Sequence, residues 1–194
     1  MMAIAVITAP TVEPISLAEA KRQCVVEHDL DDALLTLLIS VAREHGESLT
    51  RRSWAPQTLE LTLTSFPSSA AYIELPYGPV SGLLSIKYLV ANDDTEYTFD
   101  TSKLRFDFSR LLGRTILKAG ETWPTGAVEV RVRYTAGWAA AEFPSVLKQW
   151  SLVKIASLYS QRENLVVGPQ MLTVMELTRN FADALLDRYT VLEG

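Results

Sequence analysis

The hydrophobic pattern of the chain changes twice along its length, and it begins with a period typical of helices. Ser16 precedes Glu19 by three residues, the spacing of a capping box, which predicts a short helix over about 17–25. A longer amphipathic helix of about 20 residues, roughly 30 Å long, is predicted to follow over about 31–52. Its apolar stripe is Leu35, Ile39, Ala42, Gly46 and Leu49, widened by Leu34, Leu38 and Val41.

Charged residues mark both ends of this longer helix. Acidic side chains stand at its start, where they complement the positive end of the helix dipole. Basic side chains suit its carboxyl end, and a proline shortly afterwards prevents continuation. The residues concerned are Asp29, Asp31 and Asp32 at the start and Arg51, Arg52 and Pro56 at the end.

In the middle of the chain the period becomes two, which is typical of strands with one polar face. Turn signals separate the runs; Ala91-Asn92-Asp93-Asp94 is predicted to be a hairpin turn, and Gly113 marks another turn. About six short strands are expected, in an antiparallel sheet or a small open barrel. The alternating residues are Leu59, Leu61, Leu63, Leu84, Ile86, Tyr88, Val90, Tyr97, Phe99, Leu104, Phe106, Phe108, Val128, Val130, Val132 and Tyr134.

The last part of the chain returns to the helical period. Pro144 fits the first turn of a helix that runs to about Gln161, with Trp150 in its apolar stripe. A loop containing Gly168-Pro169 and a final helix over about 177–188 follow. The predicted fold is α+β, a helical bundle built from the N- and C-terminal helices with an inserted antiparallel β lobe. The 194 residues are expected to form one domain, with a helical core over 15–53 and 143–190 and the β insertion over about 56–136.

The composition of the chain argues against several classes of function. Apolar residues make up 48% and charged residues 21%, as in ordinary globular proteins. The net charge of −5 argues against a protein whose main task is to grip nucleic acid phosphates. Uncharged stretches are too short for a membrane span, and the first residues lack the features of a signal peptide. Cys24, the single cysteine, excludes an internal disulfide and fits a reducing cytoplasm.

Candidate catalytic or metal-binding groups are sparse. Cys24 and His28 are four residues apart near the aspartates, but a zinc site needs three or four ligands, so a packed thiol and a surface histidine are expected. The acidic run lacks the glycine and distant glutamate of a calcium loop. No phosphate-binding loop and no G-x-S-x-G motif occur. The sequence therefore predicts no catalytic, cofactor-binding or metal site.

Some basic and aromatic residues are candidates for contacts with nucleic acid or with other subunits. The pairs Arg51–Arg52 and Arg131/Arg133 could touch a nucleic acid backbone, but a helix C-terminus and the solvated face of a strand are the expected explanation. Trp150 is expected in the core. The other tryptophans stand near element ends, where half-buried aromatic residues occur at domain seams and subunit contacts; they are Trp54, Trp123 and Trp138.

Several segments, in order and spacing, resemble the head–tail connector (adaptor) family of tailed phages, in its longer branch with a β insertion. The segments are Ser16-Leu17-Ala18-Glu19-Ala20-Lys21, the acidic spacer and start of the long helix over 25–35, Ala42-Arg43-Glu44, Leu49-Thr50-Arg51-Arg52, Val132-Arg133-Tyr134-Thr135-Ala136-Gly137-Trp138, 143–149 and 159–163. One departure is Arg51, which replaces the usual glycine of a Thr-Gly-Arg-like turn.

The resemblance implies a structural virion protein of a phage or prophage, without enzymatic activity or cofactor. Such proteins form a homo-oligomeric ring of about twelve copies beneath the portal protein and dock a tail or stopper protein. DNA passes through the lumen without specific binding, as in DNA packaging, and no membrane is involved. The expected locations are the virion and, during assembly, the host cytoplasm. Alternatives are a stopper or tail-completion subunit, a nucleic-acid-binding module or a small enzyme.

The segment 163–176 is the predicted contact region, because apolar side chains in so long a loop need a cover. It is expected to become ordered on contact with a neighbouring subunit or the portal. The candidate contact residues are Leu165, Val166, Val167, Met171, Leu172 and Phe181.

Overall fold

A computed structural model of the chain describes residues 2–68, 72–109, 112–161 and 182–191. The chain forms two compact units, each built from two chain segments. The β unit comprises 1–11 and 56–137, and the helical unit comprises 12–55 and 138–194. The predicted α+β class is confirmed, because antiparallel sheets and helices occupy separate parts of the chain.

The helical unit contains three α-helices within the described residues. They are α1 (Leu17–Cys24), α2 (Asp32–Thr50) and α3 (Ser145–Ser160). Of the predicted final helix, the described part is a 3-10 helix over Ala184–Tyr189, which packs against α2 and α3. The predicted starts and ends of α1, α2 and α3 are correct to within one or two residues.

The predicted capping box at the start of α1 is confirmed. The Glu19 backbone N–H donates to Ser16 Oγ at 3.3 Å, and the Ser16 N–H donates to Glu19 Oε2 at 3.0 Å. The Glu19 carboxylate also forms an ion pair with Lys148 of α3. The bond to Lys148 first, and then the Ser16 N–H, lower the pKa of Glu19 from 4.5 to about 2. This one side chain therefore caps α1 and ties it to α3.

We expect Glu19→Gln to lower the free energy of unfolding at pH 7 by about 1 kcal/mol, the usual value of a cap. A lowered carboxyl pKa contributes stability above the unfolded-state value and loses it as the pH falls through the folded-state value. The difference between wild type and variant should therefore vanish as the pH falls from 4.5 to about 2. Urea unfolding at several pH values checks this, with the exposed Glu27→Gln as control; a difference that persists at pH 2 would contradict it.

The β unit contains eight strands within the described residues. They are β1 (Met2–Thr8), β2 (Gln57–Leu63), β3 (Tyr72–Leu75), β4 (Val80–Val90), β5 (Asp93–Thr98), β6 (Leu104–Asp107), β7 (Gly113–Leu117) and β8 (Ala127–Ala136). A five-stranded antiparallel sheet has the order β1-β2-β8-β4-β5, and a three-stranded antiparallel sheet has the order β3-β7-β6. Side chains from both sheets share one core, which includes Leu61, Ile86, Val132, Leu75 and Leu117.

Three of the described strands, β1, β3 and β7, were not predicted from the sequence pattern. The run 2–8 contains no turn residue and pairs with β2, so the chain begins in the β unit and not in a helical block. The short strands β3 and β7 pair with each other. Gly113 lies inside β7 and not in a turn: a Cβ there would stand 2.7 Å from a Val80 methyl carbon, so glycine permits close packing.

The alternation in β4 is interrupted by a bulge. The register with β8 shifts between Leu83 and Ser85, which turns Leu84 outward to 56% exposure, while Ile86 stays in the core. Leu83 packs against the core in its place. The prediction that Leu84 shares the buried face is therefore wrong, because a bulge adds one residue to the period of two.

The core of the helical unit joins residues from both chain segments. Leu35, Ile39 and Ala42 of α2 pack in one cluster with residues of α3. The α3 residues are Leu147, Trp150 and Ile155. Leu49, predicted in the buried stripe, is 40% exposed. The last turn of α2 buries Gly46 and Thr50 in its place.

Trp54 lies at the centre of this core and not at a half-buried seam. Its side chain is fully buried, and its ring meets those of Trp150 and Phe143 at centroid distances of 5.4 and 5.5 Å. The ring lies directly on Gly46, and its Nε1–H donates to Thr50 Oγ1 at 2.9 Å. Thr50 Oγ1 in turn donates to the Gly46 carbonyl at 2.7 Å. Glycine at position 46 creates the space that the indole fills.

Arg51, which replaces the usual glycine of the Thr-Gly-Arg-like turn, is the residue that ends α2. Arg51 has φ 53° and ψ 41°, the left-handed conformation in which helices commonly end and in which glycine is the usual residue. An L-residue with a Cβ pays about 1–2 kcal/mol for this conformation. α2 therefore ends in the left-handed conformation that is usual for helix ends, but with an arginine where glycine is more favourable.

We expect Arg51→Gly to raise the free energy of unfolding by about 0.5–1 kcal/mol. Relief of the Cβ clash exceeds the extra unfolded-state entropy of glycine, which costs about 0.5–1 kcal/mol. Arg51→Ala is the matched control, since it removes the guanidinium but keeps the Cβ. Urea unfolding followed by tryptophan fluorescence should rank the glycine variant above the alanine variant; the reverse order would show that the arginine side chain matters more than its backbone.

Candidate assembly surfaces

The six predicted contact residues, from Leu165 to Leu172 and Phe181, lie outside the described residues. The described chain resumes at Ala182 beside them. There Leu186 is buried, and Trp150 Nε1–H donates to Asp183 Oδ1 at 3.1 Å. Among the described residues, the exposed apolar side chains are the candidate contacts.

One apolar surface lies on the face of α2 that points away from the core. Leu37 is 58% and Val41 40% exposed, and Leu34, one turn earlier on the same face, is half-buried. These three residues, spaced i, i+3 and i+7, form what we call the outer stripe. The hydrophobic pattern of the sequence predicts that Leu34 and Val41 belong to the buried stripe. The helix is therefore apolar on two sides, which is typical of a helix with more than one packing partner.

A second apolar surface is the connection between α1 and α2, residues 25–31, which we call the α1–α2 loop. Val25 is 84% and Leu30 90% exposed. Val25 also ends α1 in the left-handed conformation with φ 56°, an unusual backbone for a β-branched residue. The loop thus presents two nearly bare apolar side chains.

Ion pairs and hydrogen bonds fix this loop on the helices. Lys21 Nζ contacts Asp29 Oδ1 at 2.5 Å and Asp32 Oδ1 at 2.8 Å, and Tyr159 Oη–H donates to Asp31 Oδ2 at 2.5 Å. Lys21 lowers the pKa of Asp29. The aspartates therefore hold the loop in place, a role more specific than the predicted complement to the helix dipole.

A buried polar network supports the same helix from the other side. Arg43 is 8% exposed; its Nε lies 2.9 Å from Glu13 Oε2 and its Nη1 2.9 Å from Glu47 Oε2. Glu47 Oε1 also accepts the Trp54 backbone N–H at 2.7 Å. Burial works to lower the pKa of Arg43, but its hydrogen bond to Glu13 and its three carboxylate neighbours outweigh burial and raise it. The network joins Glu13, which precedes α1, and Trp54, which follows α2, to Arg43 and Glu47 of α2.

The candidate metal and nucleophile residues have different surroundings. Cys24 packs against the helical core, as predicted, and burial raises the pKa of its thiol. His28 is exposed. His45 stacks on Trp150 with centroids 5.8 Å apart. Within the described ranges no cluster of three or more histidine, cysteine or acidic side chains could hold a metal ion.

Of the four arginines considered for nucleic acid contact, Arg51 is exposed, and the other three make the following contacts within the chain. Arg52 is 7% exposed and lies over the Trp138 ring, 4.7 Å from its centroid. Arg131 pairs with Glu96 and Glu129, and Arg133 with Glu60. These contacts favour the structural interpretation of all three arginines. Trp138 also contacts Phe143 and Tyr189, so it belongs to the helical core.

The β unit has an open cavity of about 590 Å³ beside an aromatic cluster. Phe66 and Trp123 stack there with centroids 5.1 Å apart. Glu121 is the one titratable side chain in its lining, and it is paired with Lys103 at 2.9 Å. Among the described lining residues, no second titratable side chain faces the cavity with Glu121. Among the described helices, none is long and apolar enough to cross a membrane.

Comparison with known proteins gives a match in structure. No family model and no curated protein matches the chain. A chain from the neck of an empty gene transfer agent (GTA) particle, computed with C6 symmetry, superposes with a TM-score of 0.75 at 21% identity, covering 99% of this chain and 97% of that one. A chain from the virion of a native GTA particle gives 0.75 at 20% identity, covering 98% and 96%.

A third match comes from the neck of a native GTA particle computed with C12 symmetry. Its TM-score is 0.68 at 19% identity, with 97% of each chain covered. The chain has the fold of these particle proteins. Because the superpositions extend over nearly the full length of both partners, the likeness includes the order of the elements in both units.

Proposed function

We propose that the protein is a structural subunit of the neck of a phage-like particle, where copies of it form a ring. The observation that carries the proposal is the superposition on GTA neck and virion chains over 97–99% of this chain. The resemblance of the helical segments to head–tail connectors supports it independently, because it rests on local sequence and not on the fold.

The exposed surfaces of the helical unit suit a ring contact. A ring requires that one patch on each subunit match a different patch on its neighbour. The outer stripe is apolar, and the α1–α2 loop exposes Val25 and Leu30 among charged residues; the described residues leave both exposed, so either can be one of the two patches. The net charge of −5 suits a channel through which DNA slides without adhering.

Within the neck, we infer the position directly beneath the portal protein, with a tail or stopper protein on the other side. The support is the resemblance of 16–52 and 132–149 to the adaptor branch. A stopper or tail-completion subunit has the same general chemistry and is the outcome to be distinguished by experiment.

Electron microscopy of the purified protein mixed with its portal protein tests the proposal. The expected result is added density of C6 or C12 symmetry beneath the portal. A ring that binds only the tail-side protein would identify a stopper subunit. Monomers that bind neither protein, or salt-dependent binding of duplex DNA by single subunits, would refute the proposal.

Variants show whether the outer stripe forms the ring. Leu37→Asp should abolish the ring while the subunit stays folded, because it places a charge on an apolar contact. Thr36→Asp, on the same helix but about 100° away from the stripe, is the matched control. Cys24→Ser and His28→Ala should leave assembly intact, since Cys24 packs against the helical core and the apolar side chains that the loop exposes are Val25 and Leu30, not His28. A ring that tolerates Leu37→Asp would assign the contact to another surface.

A further inference from the structure

The outer stripe of α2 continues into the α1–α2 loop. Leu30, just before the helix begins, precedes Leu34 by four residues, and Leu37 and Val41 follow at intervals of three and four. These intervals are those of one helix face. Leu34 is half-buried and the other three side chains are exposed. We call these four residues the first patch.

Acidic side chains stand at both ends of the first patch. Glu27 is exposed in the loop, and Glu44, three residues after Val41, has its side chain 68% exposed. Over residues 25–50 the one lysine or arginine is Arg43, which is buried. The exposed charges that the loop and α2 place around the first patch are therefore negative.

A second exposed surface lies at the other end of α2. Leu49, which the core leaves out, is 40% exposed, and Arg51 is exposed two residues later. The 3-10 helix is held against this end of α2, because the Val191 N–H donates to the Thr50 carbonyl at 3.0 Å. Its exposed side chains therefore belong to the same surface.

This surface has the opposite charge. The 3-10 helix adds Arg188, which is exposed, and its neighbour Asp187 is exposed as well. With Arg51, two arginines stand against one carboxylate. We call Leu49, Arg51 and Arg188 the second patch.

We propose that the first patch of one subunit packs against the second patch of the next copy around the ring. The inference rests on the proposed function, because it names the two surfaces that the ring contact joins. A ring contact is heterologous, so two different patches of one chain must match. Here apolar side chains meet at the centre, and glutamates at the rim of one patch face arginines of the other.

Charge also argues against the alternative in which the first patch packs on itself. Two copies of the first patch would bring Glu27 and Glu44 of one copy against the same glutamates of the other. Like charges across an interface repel and suppress such a pairing. The exposed charges of the helical unit thus favour the contact that propagates around a ring over a two-fold contact through the first patch.

Charge reversal of each patch tests the contact, by electron microscopy of the protein mixed with its portal protein. One variant reverses the first patch through Glu27→Lys with Glu44→Lys. The other reverses the second patch through Arg51→Glu with Arg188→Glu. Each should raise the subunit concentration needed for half-complete rings at least about tenfold, because the rims then repel.

A matched control changes the net charge without touching either patch. Arg105→Glu with Lys118→Glu, both exposed in the β unit, alters the net charge by as much as reversal of the second patch does. This variant should assemble as the wild type does. A loss of rings in the control as well would assign the effect to net charge and not to the patches.

Two combinations should restore the ring. The protein with all four reversals has a basic first patch and an acidic second patch, which attract again. An equimolar mixture of the two double variants should also assemble in alternation. The reversed patches meet at one contact and the unchanged patches at the next, and such a ring closes with an even number of copies, including C6 or C12 rings.

Wild-type rings that tolerate both reversals, or reversals that neither combination rescues, overturn this inference and leave the proposed function standing. A wild-type protein that forms no ring with the portal protein overturns both. Circular dichroism shows whether each variant is folded. If a double variant unfolds, the single changes Glu27→Lys and Arg188→Glu, at exposed positions, give the same test.

Discussion

Gly46→Ala should destabilise the helical unit by about 1–3 kcal/mol, although alanine is the better helix former by about 1 kcal/mol. A Cβ at position 46 would stand 2.1 Å from Cη2 of Trp54 and 2.4 Å from Cζ2. These atoms belong to a rigid ring that is fully buried against Trp150 and Phe143, so the ring cannot move aside. The clash therefore outweighs the gain in helix propensity.

A double-mutant cycle separates this clash from a general effect on α2. Trp54→Leu alone should cost about 3 kcal/mol, toward the lower end for loss of a large buried aromatic ring. With leucine at position 54, Gly46→Ala should cost less by at least about 1 kcal/mol, because the smaller side chain leaves room for the methyl group. Urea unfolding followed by far-UV circular dichroism gives the three differences. Additive effects would show that the Gly46–Trp54 contact is not the cause.

Arg43→Ala should lower the free energy of unfolding by about 3–5 kcal/mol, the usual cost of removing one partner from a buried ion pair. The variant leaves the Glu47 carboxylate, 14% exposed, without its cation. Burial already raises the pKa of Glu47 in the wild type. A raised carboxyl pKa favours the folded state at low pH, so the deficit of Arg43→Ala should shrink as the pH is lowered from 7 toward 5.

The matched control removes both charges. In Arg43→Met with Glu47→Gln, an amide oxygen can still accept the Trp54 N–H, and the carboxylate that loses its arginine is that of Glu13, which is 29% exposed. This double variant should be more stable than Arg43→Ala and should lack its pH dependence. Thermal unfolding between pH 5 and pH 7 compares the three proteins. An Arg43→Ala deficit that is independent of pH would mean that lost packing, and not the stranded carboxylate, is the cause.

The helices were predictable because their signals are local. The capping box of α1, the stripe of α2 and the proline before α3 each lie within a few residues of the feature that they specify. Strand β1 was not predicted because its six apolar residues, which run up to Thr8 without a clear alternation, give no period, and its partner β2 begins 49 residues after its end. The bulge at Leu84 and the close packing of Gly113 depend equally on neighbours distant in sequence.

The candidate surfaces were predictable only in part. Periodicity placed Leu34 and Val41 on α2 but could not say which of two apolar sides faces the core, because that depends on where α3 packs. Trp54 stands after the end of α2, a position that suggested partial exposure; its burial follows from the space above Gly46. The predicted contact residues between Leu165 and Phe181 remain a prediction.

Both units are assembled from two separated chain segments, and this has a consequence for synthesis on the ribosome. The β unit needs residues up to 137 and the helical unit needs α3, which ends at Ser160. Contacts such as Tyr159 to Asp31 span 128 residues, so α1 and α2 must wait for most of the chain to emerge. A nascent chain stopped at 137 would hold all eight described strands but expose the Leu35, Ile39 and Trp54 surface, a target for chaperones until α3 arrives.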